Sequence, residues 1–120
     1  MAGGSRREKK PRQYAVAGEW PYAVMDGFLP AQVGQAVARA LAEAMERQDF
    51  SANSLAAASG VNRQVISNVL AGTVYPDLLT LVSLEGALDE MLWPRHLDWP
   101  VDENGVRQQP LPPQARREVP

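Results

Sequence analysis

Apolar residues in the middle of the chain recur at helical spacing and divide it into four segments. The first lies between residues 30 and 48, where apolar positions three or four residues apart form one face of a helix: Val33, Val37, Ala40, Leu41, Ala44 and Met45. A second segment follows the cap residue Ser51 and ends at Gly60, and a third begins at Asn62. A fourth begins at Asp77. The pattern predicts four helices, the last of which is expected to bury Leu78, Leu81, Val82, Leu84 and Leu88.

The regions outside this pattern differ in composition. Residues 1–13 are polar and charged, which predicts a disordered basic arm. Residues 14–30 mix aromatic residues with Gly and Pro, and are expected to pack on the domain either as an extended arm or as a short helix. The helical domain itself is expected over residues 31–93, with a short fifth helical turn at Met91–Trp93. Residues 94–120 are rich in proline and predict a C-terminal extension.

The second and third segments meet the physical requirements of a helix-turn-helix. A small residue is needed where the two helices touch, and Ala56 stands there. The turn needs a residue that tolerates positive φ, which Gly60 supplies, and Val61 is the apolar residue that then points inward. Three further residues are spaced to complete the small core: Leu55, Ile66 and Val69.

The stretch SLAAASGVNRQVISNVLAG, followed by TVYPDLLTLVSLEGAL, resembles the phage lambda repressor/Cro-like (XRE) family of helix-turn-helix domains. With the helix that precedes it, the resemblance covers about half of the chain. It implies a compact, all-α lambda-repressor-like domain of four to five helices. It also implies a transcriptional regulator that binds double-stranded DNA sequence-specifically, with the helix over residues 63–70 in the major groove. We also expect a homodimer, on the grounds of charge given below.

The resemblance also implies which side chains contact DNA. Those expected at base edges carry groups that can pair with bases: Arg63, Gln64, Ser67 and Asn68. On an isolated helix the same four side chains would be interpreted as a polar face exposed to solvent. Those expected near the DNA backbone are Ser51, Asn53, Asn62, Thr73 and Tyr75. Many family members have Gln where this chain has Ala52, so a phosphate anchor is missing there unless Ser51 or Asn53 replaces it.

Charge is distributed unevenly, and this affects the expected affinity for DNA. Residues 1–14 hold five cations and one carboxylate, whereas residues 15–105 hold four arginines against twelve carboxylates. Because Lys and Arg contribute much of the affinity for DNA by neutralising phosphates, the acidic body alone should bind weakly. Tight binding to DNA therefore requires dimerisation or the basic arm. The arm is equally consistent with a terminus that only makes the protein more soluble. The acidic body also supports an alternative, a protein-interaction module or antitoxin-like adaptor with a basic protein partner.

Composition argues against several other classes. The chain has no cysteine and one histidine, His96, which disfavours disulfides, thiolate chemistry and a metal site. Neither a nucleophile triad nor a phosphate-binding loop is present in the sequence, so we expect neither an enzyme nor a bound cofactor. No stretch approaches the roughly 18 apolar residues that a membrane span requires. We expect a cytoplasmic protein without a membrane partner.

Overall fold

The computed structural model describes residues 9–94, and the predictions for residues 1–8 and 95–120 lie outside this range. A 3-10 turn, Pro11–Tyr14, leads into a two-stranded hairpin and then into four helices. The strands are β1 (Ala15–Ala17) and β2 (Val24–Met25), and the helices are α1 (Leu29–Arg47), α2 (Ala52–Ser59), α3 (Arg63–Ala71) and α4 (Leu78–Leu88). The all-α class is confirmed, with the small hairpin as an addition. None of the helices in residues 9–94 is long and apolar enough to cross a bilayer.

The last three helices begin at the caps that the sequence predicts. Ser51 Oγ accepts a hydrogen bond from the Ser54 amide at 3.0 Å. Asn62 Oδ1 accepts from the third-helix amide of Gln64 at 2.7 Å, and Asp77 caps α4 in the same way. Such caps satisfy amides that have no partner within the helix, and therefore set where each helix starts.

One buried cluster joins the four helices. It contains Val37, Leu41, Ala44, Met45, Leu55, Ile66, Val69, Leu81, Leu84, Leu88 and Leu92. Leu41, Leu55, Ile66 and Leu84 are fully buried, one from each helix. Because every helix contributes a large side chain to the same core, α2 and α3 are held in a fixed orientation relative to α1 and α4.

The prediction for α4 is wrong at two positions. Leu78 is 75% exposed and Val82 is 55% exposed, and the neighbouring Leu79 is also exposed. The buried residues Leu81, Leu84 and Leu88 share one face of this helix. Since α4 is apolar on nearly all sides, periodicity does not reveal which face packs inward.

The fifth helical turn expected at Met91–Trp93 is not observed. Instead, Glu85 Oε2 accepts hydrogen bonds from the amides of Leu92, at 2.7 Å, and Trp93, at 3.0 Å. The carboxylate therefore takes the place of the carbonyl oxygens that a helical turn would use. Leu92 is buried in the core by this arrangement, whereas Met91 is exposed.

The N-terminal region is more ordered than we expected. For residues 9–13 the predicted disorder is wrong, because the turn beginning at Pro11 is packed on the domain, with Pro11 and Tyr14 buried. Tyr14 stacks on Phe28 with ring centroids 4.6 Å apart. The following residues form the β1–β2 hairpin, neither an extended arm alone nor a helix. Gln35 of α1 anchors it, since its buried amide bonds to both backbone groups of Ala23.

Candidate nucleic-acid interface

The turn between α2 and α3 is built from local hydrogen bonds. Gly60 adopts φ +78° and its amide donates to the Ala56 carbonyl oxygen at 2.9 Å, which ends α2. The next amide, of Val61, donates to Ser59 Oγ at 3.1 Å. Ala56 and Val61 both pack against the main core, in the positions that a helix-turn-helix requires. The turn therefore fixes α3 against α2.

The outward face of α3 carries the four side chains expected at base edges. Arg63 and Gln64 are exposed, whereas Ser67 and Asn68 are half-buried. Gln64 Nε2 donates to Asn68 Oδ1 at 3.1 Å, so these two amides lie side by side one helical turn apart. Within residues 9–94, Arg63 makes no ion pair, which leaves its guanidinium available to a ligand. The structure thus brings the four residues together on one surface.

The expected backbone-contacting residues of α2 and α3 differ in how free they are. Ser51 is engaged in a reciprocal cap, because its amide donates to Ser54 Oγ while its hydroxyl accepts from the Ser54 amide. Asn53 lies exposed on the first turn of α2 with no hydrogen bond among the described residues. Ala52, the position at which we expected a phosphate anchor to be missing, packs against the core. Asn53 is therefore the polar side chain on this turn that is available for a phosphate.

The two expected contacts in the loop after α3 also differ. Thr73 Oγ1 donates to the Asn68 carbonyl oxygen at 3.2 Å, so its hydroxyl proton is already used. Tyr75 is partly exposed, and burial of its ring is the main cause that raises the pKa of its hydroxyl. Like any tyrosine hydroxyl at neutral pH it is protonated, so it can donate a hydrogen bond. Tyr75 is thus the better placed of the two to donate to a phosphate.

The N-terminal extension covers the C-terminal end of α3, a contact that the sequence analysis missed. The Arg12 amide donates to the Gly72 carbonyl oxygen at 3.0 Å, and its guanidinium donates to the Ala71 carbonyl oxygen at 3.1 Å. Trp20 Nε1 donates to the Leu70 carbonyl oxygen at 2.9 Å. The last carbonyls of a helix lack partners within it, and here three consecutive ones receive donors from one extension.

The family comparison covers the two helices of this surface. Residues 41–90 match the family described as "Helix-turn-helix", which confirms the resemblance to XRE, lambda repressor-like domains. The matched region and the α2–α3 geometry are those of a helix-turn-helix domain, and they support a DNA-binding transcriptional regulator. The hairpin and the turn before it lie outside the match.

Among solved structures, the chain is similar to the restriction-modification controller protein C.AhdI from Aeromonas hydrophila. The sequence identity is 26%, with a TM-score of 0.45, over 51% of this chain and 89% of that chain. The comparison with curated proteins yields no match.

Proposed function

We propose that this regulator binds a two-fold-symmetric operator as a homodimer and inserts α3 into the major groove. The observation that carries the proposal is the polar face of α3, where Arg63 and the Gln64–Asn68 pair stand on a helix fixed by a buried core. A rigid helix presenting such groups can read base edges without first being ordered. Because this requires access to the genome, we further propose that the protein acts in the cytoplasm.

Each side chain of this face suits a particular base. Arg63 can pair in bidentate fashion with guanine O6 and N7, and Gln64 or Asn68 with adenine N6 and N7. The hydrogen bond between Gln64 and Asn68 holds their two amides as a unit, so that contact with adenine would need little further ordering. Ser67, on the same helix, can serve as donor or acceptor. We assign these four residues to base recognition.

The remaining contacts would hold the DNA backbone. We assign this role to Asn53 on α2 and to Tyr75 in the loop after α3, on the basis of their exposed polar groups. Asn62 caps the first turn of α3, where the helix dipole favours a phosphate. Ser51 and Thr73 have hydroxyls engaged within the domain, so we expect weaker contributions from them.

A surface for the second copy is available on α4. Leu78, Leu79 and Val82 form an exposed apolar patch, the α4 face. It adjoins a groove with a cavity of about 330 Å³ lined by Leu29, Val33, Tyr75, Pro76, Leu81 and Trp93. Gly86 lies one turn beyond Val82, and a Cβ there would meet open space. The carboxylate of Glu85 is turned inward onto backbone amides, so it does not charge the patch.

The chemistry of this patch favours a second copy of the chain as its occupant. Its three apolar side chains are all more than half exposed, and contiguous exposed apolar patches mark interaction sites. An uncharged apolar face is complementary to itself, as a two-fold interface requires. Dimerisation also doubles the contacts to DNA.

Substitution of Arg63 tests the DNA contact. Arg63→Ala should weaken binding to the selected operator by about 1–3 kcal/mol for each half-site, the usual value of one bidentate pair, and so by about 2–6 kcal/mol for the dimer. The matched control is Arg47→Ala, which removes a cation from the end of α1 where it pairs with Glu90. Fluorescence anisotropy with a labelled duplex gives both affinities. Equal effects of the two substitutions would contradict the assignment of α3 as the reading helix.

Sedimentation equilibrium tests the dimer. Leu79→Glu places a charge in the α4 face and should give a monomer with unchanged helical content, since the residue is 77% exposed. The control is Val16→Glu, at an exposed position of similar type on β1, which should leave the dimer intact. A Leu79→Glu protein that is still dimeric would refute this interface. A wild-type monomer at the concentrations that bind DNA would refute the dimer itself.

A further inference from the structure

The basic segment at the start of the described chain is fixed beside α3. The buried Pro11 lies against α1, where a Cβ at Gly34 would be 3.4 Å from its ring. Next to it, the backbone and side chain of Arg12 bond to the carbonyls of Ala71 and Gly72. Arg12 therefore has a defined place in the fold, at the C-terminal end of α3, and Lys9 and Lys10 directly precede the 3-10 turn that carries it.

These cations are not neutralised by the rest of the described domain. Lys9 Nζ lies 4.6 Å from the centroid of the Tyr14 ring, a contact that leaves its charge unpaired. Lys10 is exposed, and the guanidinium of Arg12 bonds to a carbonyl rather than to a carboxylate. The ion pair found within residues 9–94 joins Arg47 and Glu90, and involves none of the three. Lys9, Lys10 and Arg12 thus form a positively charged surface on an otherwise acidic domain.

The length of α3 relates this surface to DNA. A helix of nine residues is about 13 Å long, close to the roughly 12 Å width of the major groove. When such a helix lies in the groove with its N-terminal residues at the base edges, its C-terminal end approaches the phosphates at the rim of the groove. Arg63 is at one end of α3. The segment that is bonded to Ala71 and Gly72 is at the other.

We propose that Lys9, Lys10 and Arg12 form a phosphate-binding surface that contacts the DNA backbone beside the C-terminal end of α3. The proposal rests on the proposed function. This surface adds cations to Arg63, which is the one cation of the helix-turn-helix over residues 51–72, and it compensates for the missing phosphate anchor at Ala52. Arg12 also stabilises the negative end of the α3 dipole, so substituting it would change stability as well as phosphate binding. The two lysines make no hydrogen bond to α3, and substituting them is therefore the more direct test of phosphate binding.

The test measures the salt dependence of operator binding by the full-length protein. Each phosphate neutralised contributes about 0.9 to the slope of log affinity against log salt concentration. A dimer that carries Lys9→Gln/Lys10→Gln in both copies lacks four such contacts, so the slope should fall by about 3.6. Affinity should fall by at least about tenfold at low salt, with the same ratio between operator and mutated operator. The midpoint of thermal unfolding should fall only slightly, through loss of the contact between Lys9 and the Tyr14 ring. Lys9→Arg/Lys10→Arg should preserve the slope.

Arg47→Gln is the control, because it removes a cation from a different part of the domain and should leave the slope as in wild type. An unchanged slope in Lys9→Gln/Lys10→Gln, with specific binding by the wild type intact, would overturn the phosphate-binding surface alone. A changed operator preference would also overturn it, since phosphate contacts carry no base information. A wild-type protein with no specific binding would overturn the proposed function instead.

Discussion

Two glycines offer a matched test of how the N-terminal extension packs on α3. Gly60 and Gly72 end α2 and α3 with nearly equal φ, +78° and +75°. A Cβ at Gly60 would meet nothing within 4 Å. A Cβ at Gly72 would lie 2.6 Å from Cζ2 of Trp20, well inside van der Waals contact. A side chain at either site would therefore meet the same backbone strain, but of the two only a side chain at Gly72 would also clash with the tryptophan ring.

The expected costs follow from these geometries. Gly60→Ala forces a side chain into the left-handed region and should lower the free energy of unfolding by about 1–2 kcal/mol. Gly72→Ala carries the same strain and must also displace the ring of Trp20, which adds about 1–3 kcal/mol. The total for Gly72→Ala is then about 2–5 kcal/mol. Urea denaturation followed by circular dichroism measures both values.

A double-mutant cycle isolates the contribution of the ring. In a Trp20→Leu background the clash is reduced, so the additional cost of Gly72→Ala should fall towards that of Gly60→Ala. The cost of Gly60→Ala should be the same with or without Trp20. If Gly72→Ala costs no more than Gly60→Ala in the wild-type background, Trp20 does not cover the end of α3, and the anchoring of the extension is refuted.

Three further predictions concern the remaining contacts. Gln35→Leu leaves the buried N–H and C=O of Ala23 unpaired and should cost about 2–4 kcal/mol in urea denaturation; a cost near zero would mean that the hairpin is not anchored by this amide. The hydrogen bond from the Thr80 amide lowers the pKa of the Asp77 carboxyl below its ordinary value. This cap therefore stabilises the fold at pH values above the ordinary pKa. Its stabilisation is lost as the pH falls through the lowered pKa. Asp77→Asn should therefore reduce the difference in stability between about pH 7 and about pH 3, and an unchanged difference contradicts the assignment. Tyr75→Phe should weaken operator binding a few-fold with no change in unfolding midpoint, as measured by anisotropy and calorimetry; unchanged affinity removes Tyr75 from the backbone contacts.

Sequence reasoning worked where the signal is local. The cap residues Ser51, Asn62 and Asp77 act on amides two or three residues away, so the starts of α2, α3 and α4 can be read from neighbouring letters. Gly60 and Gly72 likewise allow the ends of α2 and α3 to be predicted locally, since both adopt the positive φ that ends a helix. The four polar residues of the α3 face were also expected together, because one helix carries them all.

Sequence reasoning failed where the partner is distant or the pattern is ambiguous. Trp20 bonds to Leu70 across fifty positions, and no periodicity connects the two. The ordering of residues 9–13 depends on the same kind of contact. In α4 nearly every residue is apolar, so the pattern did not distinguish the buried Leu81 from the exposed Leu79. The packing of the domain does not determine which residues contact DNA, so the roles of the α3 residues stay predictions.

Selection of bound duplexes from random DNA by the full-length protein tests the central claim most directly. The account predicts enrichment of a palindrome whose half-sites lie about one helical turn apart, roughly 34–36 Å between centres. It also predicts that Arg63→Ala loses preference at one base pair in each half-site. Failure to enrich any sequence, or enrichment that is identical for wild type and Arg63→Ala, would contradict the claim that α3 reads DNA.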